Sequence, residues 1–134
     1  MTDSTLDQHM AIVGRIIAKF VSDGLAQHNI DSRRADKFLG DPTDKQTFEH
    51  IMDWMLDEGI VRARKVSRAM DGTMYIAAAQ LTAKGLAIVK APIADGDSIE
   101  KRVQSAGTDN SLYSKIGELV GSAIGSLTKS LGSG

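Results

Sequence analysis

The 134-residue sequence contains no cysteine, only two prolines and few aromatic residues, which make up 4% of the chain. The absence of cysteine excludes disulfides, thiolate zinc sites and a cysteine nucleophile. The scarcity of aromatic side chains argues against the base-stacking surfaces of proteins that bind single-stranded nucleic acids. Leucine, isoleucine, valine, methionine and alanine must therefore supply most of the core.

The sequence also lacks an excess of charge of one sign and a long apolar run. Its formal net charge is −1 at pH 7, which gives no general signal for nucleic acid or an anionic membrane. The longest uncharged apolar run, at 119–128, is about half of the roughly 20 residues that span a bilayer. The first ten residues, MTDSTLDQHM, have no basic region of the kind found in signal peptides. We therefore expect a cytoplasmic protein.

Motifs that carry catalytic or metal chemistry are missing as well. His9, His28 and His50 are scattered, without the one-turn spacing that zinc-binding helices use. No phosphate-binding loop ends in Lys-Ser/Thr, and no GxSxG nucleophile motif occurs. The sequence thus predicts no catalytic residue, no cofactor and no metal site, and indicates a binding protein rather than an enzyme.

A wide apolar stripe near the N-terminus predicts one long amphipathic helix over residues 4–28. Ser4 followed by Asp7 is typical of a helix start. We expect the stripe to face a core or a second copy of the chain. Its residues are Leu6, Met10, Ile12, Val13, Ile16, Ile17 and Phe20.

Two further helices follow in the pattern. A short one is predicted over 32–39 and closes at Gly40, and a longer one runs from residue 43 or 44 to Glu58, where Gly59 ends it. The buried face of the longer helix is expected to carry Phe48, Ile51, Met52, Met55 and Leu56, and its outer face Asp44, Glu49, Asp53 and Asp57.

After Gly59 the pattern changes to that of strands. IVRARKV at 60–66 and MYIAAA at 74–79 predict two strands joined by a turn at Asp71-Gly72. A further helix is expected from about Leu81 until the Ala-Pro pair at 91–92. Together the segments predict an α+β domain over 1–91, with three N-terminal helices, a two-stranded hairpin and a following helix.

The stretches DEGIVRARKV and DGTMYIAAAQLTAKGLAIV, in this order of elements, resemble the wing region of winged helix-turn-helix domains. The resemblance covers roughly residues 5–91. It implies a winged-helix-like fold, in which the third helix is the usual DNA-reading helix and the hairpin is the wing. Such domains serve either as DNA readers or as protein-interaction modules, so the resemblance implies no single function.

The charges divide sharply between these two elements. Residues 31–58 hold eight acidic and four basic side chains, whereas residues 59–93 hold six basic and one acidic. The electrostatic part of the affinity for DNA comes from Lys and Arg side chains that neutralise phosphates. An acidic third helix therefore opposes phosphate binding. Three roles are open for the basic wing. It neutralises acidic residues of the neighbouring helix or of a second copy of the chain, it binds an acidic protein partner, or it binds nucleic acid. The residues for such a contact are Arg62, Arg64, Lys65 and Arg68.

The C-terminal third of the chain begins with a polar segment, 92–111, that is predicted to be mainly a linker, with room for a short helix at 99–104. The segment 112–134 is apolar and rich in Gly and Ser, with Gly117, Gly121 and Gly125 spaced four apart. Three interior glycines cost a helix about 3 kcal/mol relative to alanine, so a helical tail needs a partner. The glycines form a candidate association strip, a glycine zipper, that packs on another helix of the same chain or of a second copy. A flexible tail and a shallow membrane contact are the less favoured alternatives.

These patterns favour a non-enzymatic binding or assembly module whose partner is another protein or the chain itself. The alternative is a nucleic-acid-binding regulator that contacts phosphates through the basic wing. Trp54, the only tryptophan, lies beside the predicted core stripe of the third helix. It either caps the edge of the core or serves as an exposed interface anchor, a role in which tryptophan is enriched.

Overall fold

The computed structural model describes residues 4–93 and 96–132, and for 127–132 it describes the backbone alone. The fold is α+β, with six helices and a four-stranded antiparallel sheet in this part of the chain. In chain order the elements are α1 Thr5–Asp23, β1 His28–Asp31, a 3₁₀ turn Ser32–Arg34, α2 Ala35–Leu39, α3 Lys45–Asp57, β2 Val61–Arg62, β3 Lys65–Arg68, β4 Met74–Leu81, α4 Ala83–Lys90, α5 Ile99–Ala106 and α6 Asn110–Gly132.

Side-chain caps fix where α1, α3 and α4 begin. The side chain of Ser4 accepts a hydrogen bond from the backbone N–H of Asp7 at the start of α1, and Thr82 caps α4 in the same way. Asp44 accepts from the N–H of Thr47 at the start of α3, and this bond lowers the pKa of the Asp44 carboxyl. These caps satisfy N–H groups that have no partner within the helix, so the starts expected from the sequence lie close to the observed ones.

The sheet contains more than the expected two-stranded hairpin. β4 lies in the centre, with β1 on one side and β2 and β3 on the other. The predicted helix over 4–28 was too long, since α1 ends at Asp23 and residues 28–31 pair with β4 as β1. Only Ile30 is fully buried within this four-residue strand, and so short a segment carries too little alternation to be recognised without its partner.

The central strand contains a bulge at Ala78. Along β1 the pairing advances by two residues, from His28 to Ile30, while along β4 it advances by three, from Ala79 to Ile76. Ala78 takes up the extra residue with a φ of 57°. Its backbone N–H donates to the Oδ1 atom of Asn29 at 3.0 Å, which replaces the missing ladder bond.

We expect Asn29→Ala to lower the free energy of unfolding by about 1 kcal/mol, because the part-buried Ala78 N–H loses its acceptor. Asn29→Asp keeps an acceptor oxygen at the same place and is the matched control, expected to stay within about 0.5 kcal/mol of wild type. Urea unfolding of the three proteins measures the difference. Equal loss in both variants would show that the hydrogen bond does not hold the bulge.

The core lies between α1, α3, the inner face of the sheet and the helices that follow it. Four predicted core positions differ: Leu6 lies near the start of α1 and is 66% exposed, and Met10, Ile12 and Leu56 are only half-buried. Trp54 is half-buried and packs against the core. The large side chains that are fully buried are Val13, Ile16, Ile17, Phe20, Phe48, Met52, Met55, Ile60, Val61, Met74, Ile76 and Ile116.

The C-terminal segment packs on the helices α1 and α4. α5 lies within the segment predicted as a linker and contacts α1, α4 and α6. α6 runs antiparallel to α1 and contributes Tyr113, Ile116, Val120 and Ile124 to the same core. The helical form of the tail is thus stabilised by burial of its apolar face within the chain.

Two glycines allow α1 and α6 to approach closely. A Cβ atom added to Gly14 would lie closer than 3.0 Å to the backbone of Tyr113, and one added to Gly117 closer than 3.0 Å to the backbone of Met10. Each glycine therefore directs a Cα–H at a carbonyl of the opposite helix, a recurring contact at tight helix crossings. Gly117 thus packs within the chain, through one residue of the strip predicted from the sequence.

The other two glycines of the strip do not take part in this crossing. A Cβ added to Gly121 or Gly125 meets no described atom within 4 Å. Association of two chains through these two positions stays a prediction. Among the described residues, no helix has the length and apolar character needed to cross a membrane.

Candidate binding surface

A buried carboxylate links α3 to the hairpin formed by β3 and β4. The sequence placed Glu49 on the solvent face of α3, and this was wrong, because its side chain is only 7% exposed. It accepts a hydrogen bond from Ser32 Oγ at 2.5 Å and one from the backbone N–H of Met74 at 3.3 Å. Lys45 Nζ lies 3.2 Å from the same carboxylate oxygen. Glu49 therefore holds the 3₁₀ turn, α3 and β4 together.

The protonation of Glu49 reflects two opposing effects. Burial alone raises the pKa of a carboxyl, since it disfavours the charged form. At Glu49 the hydrogen bonds from Ser32 and Lys45, together with the charge of Lys45, outweigh burial and lower the pKa below its ordinary value. Glu49 is consequently an anion at neutral pH, with its charge balanced inside the fold.

Arg68, one of the four cations predicted for the wing, is used in this internal network. Its guanidinium lies 2.8 Å from Asp53 Oδ2 and 3.7 Å from Glu49 Oε1. It also donates to the carbonyl oxygen of Gly72 at 3.4 Å. The pairing of Arg68 with Met74 places its side chain on the inner side of the hairpin, towards α3. This end of the basic strand neutralises the acidic helix beside it.

The remaining three cations, Arg62, Arg64 and Lys65, are exposed. Their side chains make no hydrogen bond or ion pair with any residue that the structure describes. Arg62 lies opposite Gln80 and Lys65 opposite Ala77, and directly paired residues share a face of a sheet. These cations, which we call the free wing cations, are therefore available to an external anion.

The outer face of the sheet beside Lys65 forms a shallow groove of about 250 Å³. Tyr75 and Ala77 form its floor, and Ser67 and Asn29 lie at its sides. Asp31 also lines the groove, but Arg33 lies 3.0 Å from its carboxylate. That hydrogen bond lowers the pKa of Asp31 and balances its charge, so Lys65 and Arg62 leave this face positive.

Apolar side chains accompany the free wing cations. Tyr75, on the outer face with Lys65, is 37% exposed, whereas Val66, which is 43% exposed, pairs with Ile76 and lies on the inner face of the edge strand. Met70 lies at the tip of the hairpin, where Gly72 adopts a φ of 86° that the tight turn requires, and its side chain is fully in solvent. A surface that combines cations with exposed Met and Tyr has the composition of a protein-binding patch rather than of a purely electrostatic one.

The structure brings only part of the predicted site together. The free wing cations lie along β2, β3 and the residues between them, whereas Trp54 lies on α3 and the glycine strip on α6. The sequence did not predict that Glu49 is a buried acceptor or that Ser32 donates a hydrogen bond to it. It also did not predict that Tyr75 and Asn29 line the groove on the outer face of the sheet. Recognition of β1 as a strand is the signal that would have placed Asn29 and Asp31 on the same face as Tyr75, because β1 pairs with β4 and Asp31 lies opposite Tyr75.

Comparison of the chain with protein-family models, with curated proteins and with solved structures finds no match.

Proposed function

We propose that this protein is a non-enzymatic binding module of the winged-helix type, and that its wing docks an acidic segment of a protein partner or of a second copy. The order α1, β1, α2, α3, hairpin and α4 supports the winged-helix comparison. The observation that carries the binding proposal is the set of three free wing cations beside exposed apolar side chains. A cytoplasmic setting is part of the proposal, on the cysteine-free sequence.

The acidic surface of α3 favours a protein over DNA as the partner. A winged-helix domain that reads the major groove presents its third helix to the phosphates. Here that helix exposes Asp57, whose charge repels phosphate, and Arg68, the cation beside the helix, is already paired with Asp53. Three free cations without a supporting helix give a salt slope of at most about 3, well below that of typical DNA-binding domains.

Nucleic acid stays the second candidate, for one reason. The free wing cations have the chemistry of phosphate contacts, and a wing alone can supply such contacts without base readout. In that case the protein is a regulator that holds phosphates through Arg62, Arg64 and Lys65. Peripheral membrane contact through the tail is less favoured, because the apolar side chains Ile116, Val120 and Ile124 of α6 are buried.

The test compares two triple variants with the same net charge. R62A/R64A/K65A removes the free wing cations, and R34A/K37A/K115A removes three exposed cations elsewhere. Binding of a fluorescein-labelled peptide of alternating Glu and Leu, and of a random 20-base-pair duplex, is measured by anisotropy at several salt concentrations. We expect the wing variant alone to lose about tenfold or more in peptide affinity, since exposed ion pairs contribute about 0.2–1 kcal/mol each.

Three outcomes separate the candidates. Loss of peptide binding in the wing variant alone supports the proposal. Duplex binding that is tighter than peptide binding, and that the wing variant loses, supports the nucleic-acid alternative instead. Equal loss in both variants would show that only net charge matters and would refute a specific role for the wing. Light scattering of the wild type against concentration tests whether the acidic partner is a second copy.

A further inference from the structure

The strand β3 forms an open edge of the sheet. It pairs with β4 on one side, and no strand of the described part of the chain lies on its other side. All of its residues, Lys65–Arg68, are exposed. An open edge carries backbone N–H and C=O groups that can pair with a further strand. The register of the β3–β4 ladder determines which of these groups are free.

The free backbone groups of β3 belong to alternate residues. In an antiparallel ladder, directly paired residues alternate between those that exchange two hydrogen bonds and those that exchange none. The N–H of Ala69 donates to the carbonyl oxygen of Thr73 at 2.9 Å, beside the hairpin turn. Ser67, two residues earlier, is therefore bonded to β4 as well, whereas the N–H and C=O groups of Val66 and Arg68 point away from β4. These groups have no hydrogen-bond partner among the described residues.

The side chains of β3 offer a different chemistry on each face of the sheet. On the inner face, Ile76 is 1% exposed, but its paired residue Val66 is 43% exposed. The buried inner face thus ends at β4, and an apolar side chain on a further strand would extend it over Val66. On the outer face, Lys65 is exposed and has no ion pair within the described residues. A carboxylate on the same added strand would neutralise it.

A bulge limits the length of the open edge. The N–H of Arg64 donates to the carbonyl oxygen of Ala77 at 2.9 Å, although Lys65 is the residue paired with Ala77. Two residues therefore face one residue of β4, and a bulge of this kind bends the strand. The regular part of the edge is Lys65–Arg68, which is about 13 Å long and offers room for about four residues of an added strand.

The charge of this edge favours an acidic strand over a second copy of β3. Charged side chains, lysine above all, are a common means by which proteins prevent an exposed edge from pairing with its own kind. Pairing of β3 with β3 of a second copy would bring two sets of free wing cations to one sheet. An acidic segment would neutralise these cations instead, so they select against self-pairing and for a partner of opposite charge.

We propose that β3 binds an extended acidic segment of another protein as a further antiparallel strand, held by main-chain hydrogen bonds to Val66 and Arg68, with an apolar side chain against Val66 and a carboxylate beside Lys65. This inference rests on the function proposed above and adds the mode of binding. In strand addition, main-chain bonds supply affinity and alternate side chains supply specificity. The partner segment therefore alternates apolar and acidic residues.

The first test uses N-methylation of the alternating Glu-Leu peptide. In the proposed pairing, the residue opposite Val66 exchanges both hydrogen bonds with it and lies on the same face, so it is a leucine. One peptide is N-methylated at its leucines and the other at its glutamates, with equal charge and equal numbers of methyl groups. We expect the first to bind about tenfold or more weakly than the unmodified peptide, because its amides face β3. The second, whose methylated amides face solvent, should stay within about threefold.

The second test locates the binding on the protein. Amide hydrogen exchange of the wild-type chain, followed by NMR, should slow at Val66 and Arg68 when the unmodified peptide binds, and should change little at Ser67, which is already bonded to β4. Val66→Pro removes an N–H that has no partner in the free protein and keeps every cation, and proline is tolerated on edge strands. It should weaken the peptide about tenfold or more. Val66→Thr keeps the N–H and is expected to stay within about threefold.

The outcomes distinguish this inference from the function on which it rests. Equal affinities of the two N-methylated peptides, or exchange at Val66 and Arg68 that the peptide does not slow, would overturn strand addition. If R62A/R64A/K65A alone still lost the unmodified peptide, the proposed function would stand without it. Failure of the unmodified peptide to bind the wild type would refute both. A doubled mass in light scattering that Val66→Pro abolishes would place a second copy on this edge and overturn the choice of an acidic segment.

Discussion

Replacing Glu49 by alanine is expected to lower the free energy of unfolding by about 3–5 kcal/mol, the usual cost of removing one partner from a buried charged network. The carboxylate is the acceptor for Ser32 Oγ and for the Met74 N–H, both of which are buried. Without it, Ser32 Oγ loses its acceptor, the Met74 N–H keeps only Ser32 Oγ at 2.9 Å, and Lys45 and Arg68 lose a counter-charge. Three separate elements would lose their common contact at once.

Asp53→Ala is the matched control, since Asp53 pairs with the same Arg68 but is exposed. An exposed pair contributes about 0–1 kcal/mol, so this variant should unfold close to the wild-type midpoint. Guanidinium unfolding followed by circular dichroism compares the two. If both variants lost a similar, small amount of unfolding free energy, Glu49 would behave as a surface residue, contrary to its burial.

The pH dependence gives Glu49 a second signature. Its pKa in the folded protein lies below the ordinary value of 4.5, so the folded state favours the ionised form. The resulting stabilisation is fully present above pH 4.5 and is lost as the pH falls through the lowered pKa. Glu49→Gln removes this contribution, so the stability difference between wild type and E49Q should shrink as the pH is lowered from 6 to 3. A difference that stays constant would show that the folded-state pKa is not lowered.

The burial of Glu49 shows where the sequence ceases to predict the site. Helical periodicity places residue 49 beside the buried Phe48, but its charge argues for solvent. Its partners come from Ser32, 17 positions earlier, and Met74, 25 positions later. Helical periodicity cannot identify such partners, because they meet α3 only after the 3₁₀ turn and β4 have folded against it.

The features that the sequence predicted correctly are local ones. Helix starts follow from Ser4, Asp44 and Thr82, whose side chains accept hydrogen bonds from N–H groups three residues ahead. The four wing cations were found together because they are close in the chain. Their division into Arg68, which pairs internally, and three free cations depends on strand register and on the bulge at Ala78, neither of which local patterns determine.

The tail shows the same division between local pattern and tertiary contact. Glycine spacing predicted close packing with a helix, but the partner of Gly117 is α1, and the reciprocal residue is Gly14. A chain ending near residue 110 would remove Tyr113, Ile116, Val120 and Ile124 from the core. Truncation would therefore affect both the stability of the fold and any association of two chains, and could not separate them. Single substitutions on α6 distinguish packing within the chain from association between chains.

Gly117→Ala is expected to destabilise the protein by about 1–3 kcal/mol, the cost of overpacking a tight contact. The added Cβ would meet the main chain at Met10, which the hydrogen bonds of α1 hold in place. The clash is removed only if α1 and α6 move apart, and this movement also loosens the packing of Val120 and Ile116. The gain of about 1 kcal/mol in helix propensity on replacing glycine is smaller than this cost.

Gly121→Ala, one helical turn later, is expected to have the opposite sign. No described atom lies within 4 Å of the added Cβ, so the gain in helix propensity, up to about 1 kcal/mol, is unopposed within the chain. Thermal unfolding of both variants at two protein concentrations, with light scattering, separates cis packing from association. Stabilisation by both substitutions would contradict the close α1–α6 crossing. Destabilisation by Gly121→Ala that grows with protein concentration, with a lower mass in solution, would instead place Gly121 in an interface between two chains, because its effect would then depend on a neighbour from outside the chain.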